Sequence, residues 1–398
     1  MEQHEFDVAI IGAGPVGGAL ACRLAQAGQR VALVDRAALP PMEHPDFDGR
    51  AYAIARGSRP LLDQSGVWDA LPIAPCPILD IRVTDGKPGR PASPLHLHFD
   101  HTEVGGEPFG WIVEARALRM ALNEKLNTMP GLSLFAPAAA SVTRHAGHAD
   151  IAIAGGPKLR AKLVVAADGK HSQLRKEAGI ATTTLPYRQS AVVCAIAHEL
   201  PHDGVALEHF LPGGPFALLP MTGNEAHENI SAIVFTEKTA LAARLMTLDD
   251  AAFTAEIARR LGNHLGRIAL VGKRWGYPLA AQYAQRYTAT RLALVGDSAH
   301  VIHPIAGQGL NLGLRDAEAL AGLVLGTAGD PGAADLLARY QAARRPANML
   351  MLAATDTLDR LFSNDNPVLR LARDVGIAAV HRMPRTRRFF MRAAMGEG

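Results

Sequence analysis

Three short clusters in this chain combine glycines, acids and amide-rich turns in the way that phosphate and flat-ring chemistry requires. The first, "GAGPVG", supplies Gly12, Gly14 and Gly17 and is followed by Asp35 and Arg36. In a G-x-G-x-x-G turn the first glycine permits the tight bend, the second lets backbone approach a pyrophosphate, and the third lets helix and strand pack closely. The phosphate meets unpaired amides at the positive end of the helix. Asp35 stands ~20 residues beyond the turn, where an acid can accept both ribose hydroxyls of an adenosine without a 2'-phosphate. This segment alone leaves FAD and NAD both open.

Asp168 and Gly169 in "AADGKHSQLR" form the second cluster, with Ser172 and Arg175 following. The third is "GDSAHVIHPIAGQGLNLGLRDAEAL": Asp297, a loop of His, Pro and Gly, then a helix opening near Gly309, Leu310 and Asn311. A chain using only NAD needs no second nucleotide-contacting region near residue 300. Free amides in the helix's first turn can steady the negative charge that a reduced flavin carries on its pyrimidine ring. Gly307 and Gly309 let a flat ring lie against bare backbone. His300 and His303 flank the loop and read either as a proton relay or as loop structure. In "LHLHFDH", His96 and His98 share a strand face, with Asp100 and His101 nearby. Without a third ligand at defined spacing they favour a polar sheet face, and no metal is expected.

These clusters need elements that hold them at one edge. "FDVAIIGAGPVGGALACRLAQAGQRVALVDR" reads as a buried strand over Phe6 to Ile11, a Gly turn, an Ala- and Leu-rich helix, and a second strand over Val31 to Val34, within the ~30 residues that give a glycine motif its meaning. Leu163 to Ala167 and "LALVGD" read as further buried strands, each ending in an acid, where open α/β sheets bind ligands. After the third cluster, Leu310, Leu314, Ala317, Ala321 and Val324 recur at helical spacing on one face.

Composition bounds the rest. At 398 residues and 48% apolar the chain is globular and long enough for two packed units. A net charge of +3 gives no general case for nucleic acid. Cys22, Cys76 and Cys194 are odd in number and far apart, which favours a reducing cytoplasm and inert core thiols. No signal peptide is expected at the amino terminus, and the longest apolar runs fall short of the ~18 residues that span a bilayer. The tail "HRMPRTRRFFMRAAMGEG" sets Arg382, Arg385, Arg387, Arg388 and Arg392 around Phe389, Phe390 and Met391. It reads as a solvated basic tail or as an anchor on anionic lipid.

In their order and spacing, "GAGPVG", "AADGKHSQLR" and "GDSAHVIHPIAGQGLNLGLRDAEAL" resemble the single-component flavin-dependent aromatic hydroxylases of the para-hydroxybenzoate hydroxylase type, over nearly the whole chain. Three further stretches resemble the ubiquinone-biosynthesis hydroxylases within that group: "GRAYAIARGSRPLLDQSGVWDAL", "WIVEARALRMAL" and the tail "LDRLFSNDNPVLRLARDVGIAAV" with "MPRTRRFFMRAAMG". Asp35 departs from the Glu of many flavoproteins, and Ala115 stands where relatives often have Asn.

The resemblance implies an α/β fold: a Rossmann-like FAD-binding domain with an inserted mixed β-sheet substrate domain and carboxyl-terminal helices. The expected division is 1–72, 110–180 and 278–340 for FAD, 73–109 and 181–277 for substrate, and 341–398 for the helical region. It implies that Gly12, Gly14 and Gly17 take the FAD pyrophosphate, and that Asp35, with Arg36 beside it, takes the adenosine ribose. Arg50 and Arg116 would reach the phosphates or ribityl chain, Asp168 would serve FAD and nicotinamide together, and Asp297 would hold the ribityl hydroxyls. Pro304, Gly307, Gln308 and Gly309 would line the ring beside Leu310 and Asn311, with Pro304, His303 and Gln308 as the catalytic candidates.

Reduced flavin activates dioxygen, and electrophilic oxygen passes to an electron-rich phenol, so the protein needs an apolar pocket that aligns the ring and excludes water. Alternating strands between 181 and 277 would build it, with Phe210, Pro212, Phe216, Leu218 and Pro220 as candidate contacts or plain core. The expected activity is FAD-dependent hydroxylation of a polyprenylated phenol in ubiquinone biosynthesis, using NAD(P)H and dioxygen, at a membrane surface or in a lipid-bound complex. A soluble aromatic substrate, or a non-catalytic FAD-binding subunit, are the alternatives.

Overall fold

The computed structural model describes residues 4–39, 47–90, 96–362 and 383–397. The Pro-rich stretches at 40–46 and 91–95, and most of the "LDRLFSNDNPVLRLARDVGIAAV" segment, lie outside the described residues.

The expected α/β architecture is present. One sheet runs in the order Thr288–Ala289, Leu292–Leu294, Lys158–Ala166, His4–Ile11, Val31–Val34, Leu132–Phe135. The last five of these strands are parallel neighbours. Val8, Ala9, Ile10, Leu163, Val164 and Val165 have no exposed surface, which explains why these strands read as continuous apolar runs rather than alternations. Parallel pairing brings their carboxyl ends to one edge, so Gly12, Asp35, Asp168 and Asp297 follow strand ends on the same side of the sheet. The helices Pro15–Gln26 and Gln308–Leu325 pack on this sheet through the main core, which includes Leu20, Leu24, Leu314 and Leu320.

A second sheet of eight strands runs in the order His300–Val301, Ile268–Ala284, Thr182–His198, Ile230–Lys238, Gly214–Met221, Val205–Leu211, Asp80–Asp85, Leu97–Asp100. All its pairs are antiparallel except Val205–Leu211 with Asp80–Asp85, so it is mixed. One face packs on helices Thr239–Met246 and Asp250–Leu261 through Val192, Cys194, Phe216, Leu218 and Phe235. The 17-residue strand Ile268–Ala284 runs across position 278 and stays in this second sheet along its length. A three-stranded sheet, Ala51–Ala55, Gly110–Glu114 and Cys76–Ile78, joins the two.

The tail forms a helix, Pro384–Met395. Met391 and Met395 are buried against the substrate sheet, so Met391 is part of the core and not of a lipid-facing surface. Arg387 pairs with Glu103, and Glu397 makes two bonds to Arg56 at 2.6 and 2.8 Å. Arg385, Arg388 and Arg392 are exposed; Arg382 and the side chains of Phe389 and Phe390 lie outside the described residues. Among the described residues no helix is long and apolar enough to cross a membrane.

Candidate active site

The strand edge and the free face of the substrate sheet enclose a cavity of about 610 Å³. Its nucleotide side is Gly14, Pro15, Val16 and Gly17, the amino-terminal turn of the first helix. The three glycines divide their work as the turn requires. Gly12 has φ +112°, closed to side chains, and a carbon added there would run into the Ala167 carbonyl. A carbon at Gly17 would overlap the Gly12 carbonyl oxygen, so close packing of helix on strand depends on its absence. At Gly14 a carbon would meet no protein atom within 4 Å, because this backbone faces the cavity.

Asp35 ties the turn down: its Oδ2 accepts from the Ala13 amide at 2.7 Å and its Oδ1 from the Ala37 amide at 2.9 Å. Arg36 is exposed and does not line the cavity. Arg50 lines it, with its guanidinium held by Asp48 at 2.6 Å, which raises its pKa further, and stacked 4.5 Å from the Trp275 ring. Arg116 instead bonds Glu114 at 2.6 Å and lies over the Phe47 ring, outside the cavity walls.

Asp297 projects into the cavity between Val295 and Val301. Surrounding protein desolvates its carboxyl and raises its pKa, opposed by the charges of His300 and Lys170. Pro304, Gly307, Gly309 and Leu310 line the next stretch of wall. Gly307 has φ +63° at the helix cap, and a carbon at Gly309 would meet nothing within 4 Å, so bare backbone faces the cavity as a flat ring requires.

Several expected residues serve the frame of the site instead of its surface. Asp168 is turned to the helix that follows: its Oδ2 accepts from the Gln173 amide at 2.8 Å, while Ala167 and Gly169 form the wall. Asn311 is buried and clips the ring helix to the Ala51–Ala55 strand, accepting from the Ala55 amide and donating to the Ala53 carbonyl, both at 2.8 Å. Gln308 is buried under the tail, donating to the Ala394 carbonyl at 3.3 Å. His303 turns away from the cavity: its ring packs edge-on against Tyr187 at 4.9 Å, and its Nε2 lies 3.6 Å from Asp359. Burial lowers its pKa against the opposing pull of Asp359 and Asp356.

His300 is buried and bonds Asp316 at 2.6 Å. Asp316 also accepts from Arg344 at 2.8 Å and Asn348 at 2.9 Å. Burial alone would raise the Asp316 carboxyl; His300 and Arg344, with the Asn348 amide, override it and hold the carboxyl below its ordinary value. This network braces the Asp297 loop against the ring helix.

The expected substrate contacts do not form the cavity wall, Phe216 and Leu218 because they are on the other face of the sheet and Phe210 because another ring covers it. The cavity walls on the sheet are Ala191, Val193, Leu219 and Val234, with Tyr277 and Leu279. Phe216 and Leu218 point to the helices on the other side, and Phe210 stacks on Phe362 with ring centroids 4.0 Å apart. Pro212 and Pro220 do not line the cavity either. Period-2 alternation in "GPFALLP" fixes two faces, but nothing in it says which face meets the ligand. Tyr52, Arg119, Tyr277 and Leu279 were not anticipated. The alternation of "WGYPL" could have found Tyr277 and Leu279, and the i,i+3 spacing from Arg116 could have found Arg119, whose Nη1 reaches the Ala13 carbonyl at 3.4 Å.

His98 pairs with Asp80 at 3.2 Å, and His101 bonds the Leu79 carbonyl at 3.0 Å. Asp80, Asp100 and His101 thereby bring three ligand-type groups within reach of one another, a convergence that the spacing of the histidines did not reveal. A second cluster, His145 and His148 on Asp150, is held by Arg160 at 3.0 Å on the same carboxylate, a cation already in place. All three cysteines are buried, and burial pushes the Cys22 and Cys194 thiols up to about 12 and Cys76 to about 11, so none is a thiolate at neutral pH.

A glycine-opened helix terminus, an acid projecting into the cavity and a bare-backbone wall fit a dinucleotide with a flat ring, and comparison with known proteins agrees. The FAD binding domain family matches residues 5–355. The chain is 48% identical over 394 residues to the ubiquinone hydroxylase UbiL of Rhodospirillum rubrum, covering 98% of this chain and 89% of that protein. It is 34% identical to the 3-demethoxyubiquinol 3-hydroxylase of Escherichia coli over 404 residues, covering all of both chains. The solved structure of p-nitrophenol 4-monooxygenase PnpA from Pseudomonas putida shares the fold, with a TM-score of 0.76 at 18% identity over 100% of this chain and 99% of that one. The chain belongs to the FAD binding domain family, and it is an FAD-dependent aromatic-ring hydroxylase. The resemblance drawn from its three motifs therefore holds.

Proposed function

We propose that the protein hydroxylates the ring of a polyprenylated phenol in ubiquinone biosynthesis, using NAD(P)H as reductant and dioxygen as oxygen source. The observation that carries this reading is the composition of the cavity at the strand edge: polar backbone and Asp297 on the strand-edge side, and the apolar walls Val193, Leu219 and Val234 on the other. Bound flavin, once reduced, supplies the activation of dioxygen. Gly14 and the helix terminus behind it would hold the pyrophosphate, Asp35 the adenosine ribose, Arg50 the phosphates, and Asp297 the ribityl hydroxyls. Pro304, Gly307, Gly309 and Leu310 would lie against the ring, and the free amides of the ring helix would steady negative charge on it. The apolar sheet wall would orient the phenol and keep water out.

The first sheet supports assigning 1–72 and 110–180 to the FAD unit and the second supports 181–277 as the substrate unit, with the strands Ile268–Ala284 and His300–Val301 carrying the second sheet past the boundary expected at 278; the helices Ala334–Phe362 and Pro384–Met395 fit a helical region over 341–398. The exposed Arg385 and Arg388 would bring the enzyme to the anionic bilayer where such a substrate dissolves. Arg385→Ala with Arg388→Ala should keep FAD and lose sedimentation with vesicles containing anionic lipid; unchanged sedimentation would remove the membrane role.

The activity is tested by following the flavin absorbance anaerobically with NADPH, with and without a short-chain prenylated phenol, then admitting air. Bleaching accelerated by the phenol and release of a hydroxylated product are expected. Bound flavin that neither NADPH nor NADH can reduce in the presence of phenol would overturn the reading.

A further inference from the structure

A hairpin at the edge of the first sheet carries the run His145-Ala-Gly-His148-Ala-Asp150. Its strands, Ala140–Arg144 and Ala149–Ile153, pair antiparallel, and the His145 amide closes the turn by donating to the His148 carbonyl at 2.8 Å. His145 and His148 therefore face each other across the hairpin, and Asp150 follows on the same face two residues along. The third ligand at defined spacing that His96 and His98 lack is present here.

Both imidazoles turn Nε2 towards one oxygen. Asp150 Oδ2 is 3.2 Å from His145 Nε2 and 3.5 Å from His148 Nε2, and the three atoms lie within 4.8 Å of one another. Around a tetrahedral zinc ion with bonds of about 2.0–2.1 Å, neighbouring donor atoms stand about 3.3–3.4 Å apart. The two imidazole–carboxylate separations match edges of such a tetrahedron. Arg160 is bound to the other oxygen, Oδ1, at 3.0 Å. That bond holds the Asp150 carboxyl below its ordinary value and orients it, as outer partners of metal ligands do. The arginine thus supports a site on Oδ2 and does not fill it. Among the described residues, Asp80, Asp100 and His101 form the other cluster of three such groups. Their atoms do not converge in this way: Asp100 Oδ1 accepts from both the amide and the hydroxyl of Thr102, and His101 Nδ1 lies on the Leu79 carbonyl.

We propose that His145, His148 and Asp150 bind a zinc ion through Nε2, Nε2 and Oδ2, with water in the fourth position. Each imidazole binds as the neutral tautomer with its proton on Nδ1. None of the three residues lines the cavity, so the ion's role is structural. The turn it would fix is an anchor of the FAD sheet: the Ala146 carbonyl accepts from Arg291 Nε at 2.8 Å. Arg291 is bonded to Asp330 and stands immediately before the strand Leu292–Leu294, which leads to Asp297. The side chains of His145, His148 and Asp150 are 46%, 32% and 38% exposed, so zinc reaches them from solvent without any rearrangement.

The test uses untagged, FAD-loaded protein stripped with a chelator and titrated with zinc chloride in a calorimeter. Wild type should bind one equivalent with micromolar affinity or tighter. His145→Ala and His148→Ala should each keep normal flavin content and bind zinc at least about tenfold more weakly. His101→Ala should bind as wild type does. Zinc at about 100 times its dissociation constant should raise the melting temperature of wild type by a few degrees and leave both hairpin variants unmoved. Wild type that binds no zinc at submillimolar concentration, binding that survives both hairpin substitutions, or binding lost in His101→Ala would each overturn the site. A wild-type melting temperature that saturating zinc leaves unchanged would overturn the structural role.

Discussion

Asp297 opens onto the cavity and Asp316 is fully buried, and their carboxyls shift in opposite directions. The difference is in their partners. Asp316 accepts close hydrogen bonds from His300, Arg344 and Asn348 and is committed to the frame. Asp297 feels His300 and Lys170 only as charges and keeps its carboxylate directed into the cavity, ready for hydroxyl donors that a ligand brings. Asp297→Ala should therefore leave the melting temperature of the apoprotein within a degree or two and cost the flavin a charged hydrogen bond, about 1.5–3 kcal/mol or at least tenfold in affinity. The ratio of flavin to protein absorbance after gel filtration measures it. Normal flavin content would remove Asp297 from the site. Residue types foretold the chemistry here, but partners decided the roles. Asp168, His303 and Asn311 carry the right groups at the right strand and helix ends; the helix that follows takes one oxygen of Asp168, and tertiary packing or hydrogen bonds claim His303 and Asn311.

Among the elements, the strand, turn and first helix make the most specific demand, and Gly14 and Gly17 separate its two parts. Gly17→Ala places a carbon on the Gly12 carbonyl and must push helix from strand; it should destabilise the apoprotein by several kcal/mol, and lower flavin content follows from lost structure. Gly14→Ala meets no protein atom, so the apoprotein should melt as wild type does and fail only in holding flavin. Paired melting curves and flavin titrations of the two variants distinguish packing from ligand approach; a Gly14→Ala protein with normal FAD affinity would contradict a pyrophosphate against that backbone. This unit was legible because both demands are local, set by residues a few positions apart. The substrate sheet was legible only as strands. Which of its faces meets the cavity depends on where helices Thr239–Met246 and Asp250–Leu261 pack, a long-range choice that alternation leaves open. Phe216 and Leu218 went to the helices for that reason, and Val193, Leu219 and Val234 to the cavity.

At the scale of the whole molecule, the buried histidines His198, His209 and His303 link stability to pH. Burial lowers the pKa of His198, of His209, down to about 4, and of His303. His198 suits the neutral form, with Nδ1 2.7 Å from the Leu200 carbonyl and Nε2 2.9 Å from the Ser231 hydroxyl. In the unfolded chain each histidine titrates near 6.5. Between that value and its lower folded value, the unfolded state binds more protons, so stability falls as pH falls. The contribution is complete above about pH 6.5 and declines by at most ~1.4 kcal/mol per pH unit for each histidine below it. The histidine contribution should thus be nearly level from pH 8 to 7 and fall from 6.5 towards 5, with Glu208, whose carboxyl desolvation raises to about 7, acting in the opposite sense between 7 and its unfolded value of 4.5. His209 reaches lowest and continues to draw on stability down to about pH 4. Its Nδ1 lies 2.6 Å from the Thr84 hydroxyl, a contact that an asparagine amide can also make. His209→Asn, uncharged at every pH, should flatten the decline by up to ~1.4 kcal/mol per pH unit between 6.5 and 4 while leaving stability at pH 8 little changed. Denaturant melts of both proteins at half-unit intervals measure the slope directly, and parallel curves for variant and wild type would mean that His209 is already charged in the folded protein.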